Sequence, residues 1–286
     1  MLVSLKSLMH DAREGHYAVG AFNLLSIEHV RGCLLYTSDA ADEEDMRAPL
    51  IIQLAEVQFP CAPLEFMAPV YLEAARRASV PVCVHLDHGQ SFETCARALN
   101  LGFNSVMFDG AALSFDDNVA ATREVSRLAH AVGADVEAEL GKVGDAGAAL
   151  SEADADVFTD PAEAARFIEM TGIEALAIAI GNQHGKYVAT PHLNIGRLKE
   201  IASLTNLPLV LHGGSGTTLE DFKACVHGGI CKINVATALQ IAVTSAVSKY
   251  VGRPDAGYIG MKSVIEDATC EEVKRHIRIF ESEGRA

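Results

Sequence analysis

The chain repeats one pattern along its length: short runs of apolar, often β-branched residues alternate with stretches in which apolar residues recur at helical spacing. Within Asp116–Ala131, for example, Val119, Val125 and Leu128 can share one helical face. Another helix is expected from Pro161, which follows Thr159 and Asp160 at a first-turn position. The eight apolar runs are Ala18–Leu24, Pro49–Ala55, Val80–Leu86, Ser105–Phe108, Asp135–Leu140, Ala175–Ile180, Leu207–Leu211 and Ile230–Val235.

Strands that alternate with helices predict a parallel sheet, and eight of them fit a closed (β/α)8 barrel, the TIM barrel. We expect residues 1–286 to form one such domain, since α/β barrels of this length often fold as a single unit. A doubly wound open sheet is the alternative, but no G-x-G-x-x-G motif follows the first predicted strand.

Composition narrows the class of protein and of partner. Hydrophobic residues make up 49% and charged residues 21%, as in ordinary globular proteins, and the net charge of −15 argues against nucleic acid or an anionic membrane as partner. The seven cysteines form no C-x-x-C pair, which suggests reduced thiols in the cytoplasm. The N-terminal residues lack the continuous apolar core of a signal peptide, and no later run is long enough to span a membrane.

The segment Cys33–Glu44 departs from the pattern of its neighbours. It interrupts the first predicted barrel helix with a Tyr-Thr-Ser-Asp run and resembles a translated sequencing-adaptor read-through. The alternative is a lineage-specific loop. No functional prediction is based on this segment.

Polar residues gather where the predicted strands end. Active sites of TIM barrels lie at the C-terminal ends of the strands, so we expect these side chains to meet at one mouth. In chain order, Asp87 and His88 close the third strand, Asp109 the fourth and Glu139 the fifth, His184 follows the sixth, His212 closes the seventh and Asn234 ends the eighth.

Three histidines in this set predict a metal site. His88, His184 and His212 would supply three ligands and leave a position open for water or substrate, the arrangement common in catalytic zinc sites. A lone histidine is more often a hydrogen-bonded core or loop residue, but each of these three precedes a glycine at a strand tip. His85 is assigned a supporting or structural role, and the remaining histidines are expected in solvent: His10, His16, His29, His130, His192, His227 and His276.

Two neighbouring loops predict an anion site. His212-Gly213-Gly214-Ser215-Gly216 is a glycine-rich turn after strand seven, and Asn234-Val235-Ala236-Thr237 follows strand eight and opens a helix. Loops at these positions form the usual phosphate site of the fold, where backbone amides and a helix N-terminus accept the anion. A tight turn without a ligand is the alternative for the glycines alone.

Three further residues carry open assignments. Asp109 and Glu139 are candidates for binding a second cation or for orienting the metal ligands; a helix cap and an inward-facing, hydrogen-bonded carboxylate are their structural alternatives. Lys232 lies within strand eight and is a candidate Schiff-base lysine, although strand alternation does not settle which way it faces.

Taken together, these motifs resemble the class II fructose-bisphosphate/tagatose-bisphosphate aldolase family. The resemblance covers most of the chain and rests on Tyr17–Asn23, His85–His88, Gly102–Gly110, Val136–Gly141, Ile180–Tyr187, Leu211–Gly216 and Lys232–Thr237.

The resemblance implies a zinc-dependent TIM-barrel lyase of carbohydrate metabolism, dimeric or tetrameric, that makes or breaks an aldol bond using dihydroxyacetone phosphate. It implies Asp87 as general acid/base and His88, His184 and His212 as zinc ligands. Asp109 and Glu139 match the position of a second, divalent or monovalent cation. The residues that match the dihydroxyacetone-phosphate site are Gly185, Gly213, Gly214, Ser215, Asn234, Ala236 and Thr237.

Three departures from the family pattern concern proton exchange and substrate recognition. The loop after strand five, Gly141–Ala149, lacks the glutamate that exchanges a proton in the family, and Asp145 and Glu152 are the nearby carboxylates. Ala111 stands where serine is usual, and Gly252-Arg-Pro-Asp255 replaces a common Asp-Pro-Arg element. The identity of the ketose and of the aldehyde is therefore left open.

Three functional hypotheses follow. The first is a zinc-dependent aldolase acting on a ketose phosphate, and the second is a Schiff-base aldolase using Lys232. The third is a metal- and sugar-phosphate-binding barrel with little turnover, motivated by the missing loop glutamate. A metal-dependent hydrolase fits less well, because the His-x-His pair that such barrels carry on strand one is absent.

Overall fold

Eight parallel strands close into a barrel in a computed structural model of the chain. The structure describes residues 1–35, 47–141, 143–145, 158–185, 192–214 and 216–286, with Leu35, Gly144, Asp145 and His184 described by their backbone alone. The barrel strands are β1 (Val19–Asn23), β2 (Leu50–Ala55), β3 (Val82–Gly89), β4 (Ser105–Phe108), β5 (Asp135–Leu140), β7 (Ala175–Ile178), β9 (Leu209–Leu211) and β10 (Ile230–Val235). Two short strands, β6 (Gly144–Asp145) and β8 (Gln183–His184), pair with each other above the barrel.

Ten helices are described around this barrel. They are α1 (Leu5–Gly15), α2 (Ile27–Leu35), α3 (Leu64–Arg77), α4 (Phe92–Asn100), α5 (Phe115–Ala131), α6 (Pro161–Thr171), α7 (Ile195–Leu204), α8 (Leu219–Gly228), α9 (Thr237–Val251) and α10 (Tyr258–Ile279), with a 3-10 turn at Glu56–Gln58. The helix predicted at Asp116–Ala131 is confirmed as α5, and Pro161 opens α6 behind the N-cap Asp160, whose carboxylate accepts from two backbone amides.

The TIM-barrel prediction is confirmed. Around the ring the strands follow the order β1-β10-β9-β7-β5-β4-β3-β2, so each predicted apolar run became a barrel strand. All strand pairs in the ring are parallel, which aligns the C-terminal ends of the strands at one mouth.

Two apolar layers hold the barrel together. Outward-facing strand residues such as Phe22, Ile52 and Val84 pack under the surrounding helices. The lower interior is filled by apolar strand residues, including Ala21, Ile51 and Met107, and α1 packs its buried face beneath them. The lower barrel is thus filled by an apolar layer.

Part of the irregular segment lies outside the described residues. Cys33 and Leu34 continue α2, and Cys33 is buried, whereas residues 36–46 are not described. The prediction that this segment interrupts a helix therefore stays a prediction. Among the described helices, none has the length and apolar character that a membrane crossing requires.

Candidate active site

An unusual backbone conformation brings Asp87 and His88 to the same mouth. Alternation along a strand would send consecutive side chains to opposite faces. His88, however, has a φ of 46°, in the left-handed region, and the register of β3 on β4 shifts between Leu86 and Gly89. Such a conformation is uncommon for a residue other than glycine and concentrates at functional sites. Its result here is that both side chains line one cavity.

The Asp87 carboxylate is held by two side-chain amides. Its Oδ2 accepts from Nδ2 of Asn23, and its Oδ1 accepts from Nδ2 of Asn234, both at 2.9 Å. Burial by itself would raise the pKa of Asp87, but the positive charges of His88 and Lys232 and the Asn23 hydrogen bond outweigh it and leave the pKa below its usual range. Asp87 is therefore an ionised, oriented acceptor.

His88 lies between the Asp109 carboxylate and His212 on the opposite wall of the barrel. Its Nδ1 lies 2.8 Å from Oδ2 of Asp109, and its Nε2 lies 2.9 Å from Nδ1 of His212. Burial opposes a charge on this ring, but Asp87 and Asp109 outweigh it and raise the pKa of His88 to about 9. Asp109 orients His88 as a carboxylate orients a metal-ligating histidine.

His212 is oriented by a carboxylate from below. Its Nε2 lies 2.9 Å from Oε1 of Glu137, and both side chains are fully buried. Its Nδ1 faces His88 and lies 3.6 Å from Oε2 of Glu139. Burial raises the pKa of Glu139 to about 8, with Asp109 adding to the effect, and Oε2 of Glu139 is buried without a hydrogen-bond partner among the described residues.

This donor set fits a metal cation. Two groups of ligand atoms, Asp87/His88/His212 and His88/Asp109/Glu139, each lie within 4.8 Å of one another. In both imidazoles one nitrogen faces a carboxylate, which leaves the two facing nitrogens as the natural ligand atoms. A cation between them and Glu139 would also satisfy the buried Oε2, so the residues present fit the predicted metal.

The third predicted histidine is placed only in part. His184 lies in β8, where its backbone pairs with that of Asp145, and its side chain lies outside the described residues. Gly185, the next residue, lines the cavity beside the other predicted ligands. Asp145 is likewise described by its backbone alone, and Glu152 lies outside the described residues.

A cavity of about 620 Å³ opens at this mouth. The predicted phosphate residues that the structure describes all line it: Gly185, Gly213, Gly214, Asn234, Ala236 and Thr237. Gly213 has a φ of 69°, which favours glycine, and Ala236 caps α9 with Thr237 as its first residue. Backbone amides of a turn and of a helix N-terminus therefore border one space, although Ser215 itself lies outside the described residues.

Comparison with known proteins agrees with this geometry. The family model described as fructose-bisphosphate aldolase class-II matches residues 3–285. A fructose-bisphosphate aldolase of Staphylococcus aureus is 38% identical over 295 residues, covering 100% of this chain and 99% of the relative. The chain belongs to the class II fructose-bisphosphate aldolase family.

The solved structure of the YdjI aldolase from Escherichia coli K12 superposes with a TM-score of 0.88 at 35% sequence identity, and the match covers 100% of both chains. The protein is accordingly an aldolase, a carbon–carbon lyase of carbohydrate metabolism. Membership of a metal-dependent family agrees with the cation-binding geometry described above.

Several polar residues of this aldolase site were not assigned from sequence. Asn23 ends β1 and donates a hydrogen bond to Asp87. The rule that site residues lie at strand ends, applied to β1, would have identified it. Glu137 lies two residues before Glu139 on β5, so strand alternation places both on the inner face. Gln53 on β2 donates to Oδ1 of Asn23 at 2.9 Å and extends the network.

The prediction that the remaining histidines are solvated is wrong for two of them. His29 is 8% exposed and His276 is 3% exposed. Nδ1 of His29 accepts from the backbone amide of Leu25, and His276 packs among phenylalanine rings of the barrel wall and α8. A helical position by itself does not reveal which face of the helix is covered.

Proposed function

We propose that the protein is a zinc-dependent aldolase that reversibly cleaves a ketose phosphate or bisphosphate to dihydroxyacetone phosphate and an aldehyde. Fructose- and tagatose-1,6-bisphosphate are the model substrates. The single observation that carries the proposal is the placement of an oriented, ionised Asp87 beside the facing imidazoles of His88 and His212, within the cavity.

His88, His184 and His212 would hold the zinc ion, and a zinc ion bound there supplies Lewis-acid polarisation of a substrate carbonyl. Asp109 and Glu137 orient the two described imidazoles, since each carboxylate lies within 2.9 Å of the ring nitrogen that faces away from the site. Asp109 and Glu139 would also serve a second cation, because their oxygens and His88 converge.

Asp87 would move the proton of the aldol reaction. In the cleavage direction a carboxylate oxygen takes the proton from the substrate hydroxyl, and in condensation it returns the proton. The amides of Asn23 and Asn234 each hold one oxygen of the carboxylate, which lines the cavity, and its lowered pKa keeps it ready to accept a proton. The geometry thus suits a general acid/base.

The phosphate end of the substrate would bind at the other wall of the cavity. Gly185, Gly213, Gly214 and Ser215 would offer backbone amides and a hydroxyl there. Asn234, Ala236 and Thr237 would complete the site at the N-terminus of α9, where the helix dipole favours an anion. An acidic protein can bind a sugar phosphate in this way without a lysine patch.

The Schiff-base alternative has less support from the geometry. Nζ of Lys232 lies 2.8 Å from Oε2 of Glu137 and donates to Oδ1 of Asn234 at 2.7 Å. Its side chain is fully buried and is not among the residues that line the cavity. An amine held in this way cannot attack a carbonyl in the cavity without breaking an ion pair.

A substrate panel with and without chelator tests the proposed function. Ketose 1-phosphates and 1,6-bisphosphates are incubated with the protein, and release of dihydroxyacetone phosphate is followed by a coupled assay. We expect cleavage of at least one substrate, its loss on chelation, and its return with zinc or cobalt. His212→Ala should remain inactive after zinc is added, whereas His227→Ala, on the exposed end of α8, should behave as wild type.

Two outcomes contradict the proposal. Cleavage that persists after complete chelation excludes a metal-dependent mechanism. Tight binding of dihydroxyacetone phosphate with no turnover across the panel favours the binding barrel instead.

We also propose a cytoplasmic homodimer or homotetramer. All seven cysteines are free thiols, which suits a reducing compartment. Large apolar side chains are exposed around the end of α9 and the start of α10, where Val251 is 56%, Tyr258 68% and Ile259 77% exposed. Sedimentation of the purified protein measures the oligomeric state, and a monomer at micromolar concentration contradicts this proposal.

A further inference from the structure

A fully buried lysine lies in the barrel interior beneath the candidate site. Lys232 has no exposed surface, and its Nζ contacts two polar groups that themselves reach the site: Oε2 of Glu137 at 2.8 Å and Oδ1 of Asn234 at 2.7 Å. Burying an ion pair costs desolvation free energy that its attraction often fails to recover. Stability is therefore a weak explanation for this pair.

The contact between Lys232 and Asn234 sets the orientation of the Asn234 side-chain amide. An ammonium group can only donate hydrogen bonds, so the oxygen of the Asn234 amide must face it. The NH2 group of the same amide then faces the opposite direction, where it donates to Oδ1 of Asp87 at 2.9 Å. A flipped amide would present its oxygen to the Asp87 carboxylate and its NH2 to the ammonium, and both contacts would be repulsive.

The contact between Lys232 and Glu137 affects His212, because Glu137 also touches that ring. With Oε2 on the ammonium, the other oxygen, Oε1, lies 2.9 Å from Nε2 of His212. Because the carboxylate is paired with an ammonium group through Oε2, its other oxygen faces His212 as an acceptor, so Nε2 of His212 carries the proton. The lone pair of a neutral His212 is then on Nδ1, the nitrogen that faces Nε2 of His88 at 2.9 Å.

His85, a second histidine near Glu137, does not supply the charge that balances this carboxylate. His85 is fully buried, with Nδ1 2.8 Å from Oγ of Ser105 and Nε2 3.6 Å from Oε2 of Glu137. Burial and the Lys232 charge hold the pKa of His85 well below its ordinary value, so the ring is neutral. Lys232 is therefore the cation that balances Glu137 inside the barrel.

We propose that Lys232 is a positioning residue for the aldol reaction, which orients the Asn234 amide toward Asp87 and, through Glu137, holds His212 in the tautomer that presents Nδ1 to the metal. The proposal rests on the proposed function, because it assigns Asp87 and His212 the roles stated there. One buried charge thus couples the proton carrier to a metal ligand on the opposite wall. Lys232 touches neither the cavity nor the substrate.

Substitution of Lys232→Met tests this role, with Lys262→Met as the matched control. Lys262 pairs with Glu28 at the surface between α2 and α10. We expect Lys232→Met to weaken zinc binding about 10- to 100-fold, measured by competition with a chromophoric chelator, and to lower kcat by a similar factor after zinc saturation. KM should change less than kcat, because Asn234 is the one described residue of the phosphate wall that contacts Lys232, and the glycine turn and the N-terminus of α9 keep their positions. Lys262→Met should match wild type in all three measurements.

A second variant protects the test against misfolding. The Lys232→Met substitution alone leaves Glu137 as an uncompensated buried charge, so Glu137→Gln/Lys232→Met, which has no net charge in this pair, is measured alongside. We expect the double variant to recover thermal stability without recovering zinc affinity or kcat, because a neutral amide no longer requires a proton on Nε2 of His212. Recovery of stability, zinc affinity and kcat together would show a structural role only and would overturn the proposal.

The two proposals fail in different ways. If wild type shows no chelator-sensitive cleavage, the proposed function fails and the role of Lys232 in the aldol reaction fails with it, while zinc titration of the folded variants still decides whether Lys232 orients His212 for metal binding. If wild type cleaves a ketose phosphate and either folded variant matches it in zinc affinity and kcat, the Lys232 role is overturned while the function stands.

Discussion

Nε2 of His88 and Nδ1 of His212 face each other at 2.9 Å across the mouth of the barrel, with their rings edge to face. His88 lies near the end of β3 and His212 directly follows β9, and these two strands lie on opposite sides of the closed ring. Each ring is anchored by a carboxylate on its other nitrogen, Asp109 in one case and Glu137 in the other. This arrangement, more than any single motif, supports the metal site proposed at the mouth.

Removal of the Asp87 carboxylate should separate proton transfer from metal binding. We expect Asp87→Ala to lower kcat by about 10²- to 10⁴-fold, because the proton carrier is lost. Zinc affinity should fall far less, since the imidazole anchors remain. Steady-state kinetics and metal analysis of the same preparation check both statements. Asp267→Ala, at an exposed position of α10, is the control, and a variant that keeps its kcat excludes the role assigned to Asp87.

Loss of the Thr237 hydroxyl should weaken substrate binding more than turnover. We expect Thr237→Ala to raise KM about 10-fold, the equivalent of about 1.4 kcal/mol for one hydrogen bond to a charged group. kcat should stay near wild type if the bond is equally strong in the ground and transition states. Initial rates over a range of substrate concentrations distinguish the two parameters. Thr244→Ala, exposed on the same helix, should change neither, and an unaltered KM for Thr237→Ala would remove Thr237 from the phosphate site.

Borohydride treatment in the presence of dihydroxyacetone phosphate should leave the mass of the protein unchanged. The amine of Lys232 is buried and paired with Glu137, so it cannot form a reducible imine with a ligand in the cavity. Intact-mass measurement after reduction reports any adduct, and peptide mapping locates it. An adduct on Lys232 would restore the Schiff-base mechanism and exclude the metal-dependent one as the main route.

Acid should destabilise the fold through His276, away from the candidate site. Burial lowers the pKa of this imidazole to about 4 from an ordinary value of 6.5, and Nδ1 donates to the carbonyl of Glu272. Between pH 6.5 and 4 the unfolded chain therefore binds a proton that the folded chain excludes. The free energy of unfolding should fall as the pH drops through this window, by up to ~3 kcal/mol from this group.

His276→Phe isolates that contribution. Phenylalanine keeps the ring contacts with Phe22, Phe222 and Phe280 but cannot be protonated. Urea unfolding at several pH values should show a flatter acid limb for the variant than for wild type, with the difference approaching one proton. Equal slopes would mean that His276 is protonated in the folded state at these pH values.

The strands and the end of the barrel that carries the site are local properties of the sequence. Each predicted run is short and mostly apolar, as a buried strand is, and stretches with helical spacing lie between the runs. Parallel strands then put Asp87, Asp109, Glu139 and Asn234 at one mouth, because every strand ends there. Those placements required no knowledge of which strand touches which.

Only the tertiary structure decided how these groups face. His88 shares a face with Asp87 because its backbone is left-handed where the register with β4 shifts. The register of β10 on β9 shifts between Ile230 and Lys232, and the Lys232 amine meets Glu137 from a different strand. The burial of His276 depends in the same way on α8 and β1. Orientations of this kind are set by contacts between residues distant in the chain, and no local pattern encodes them.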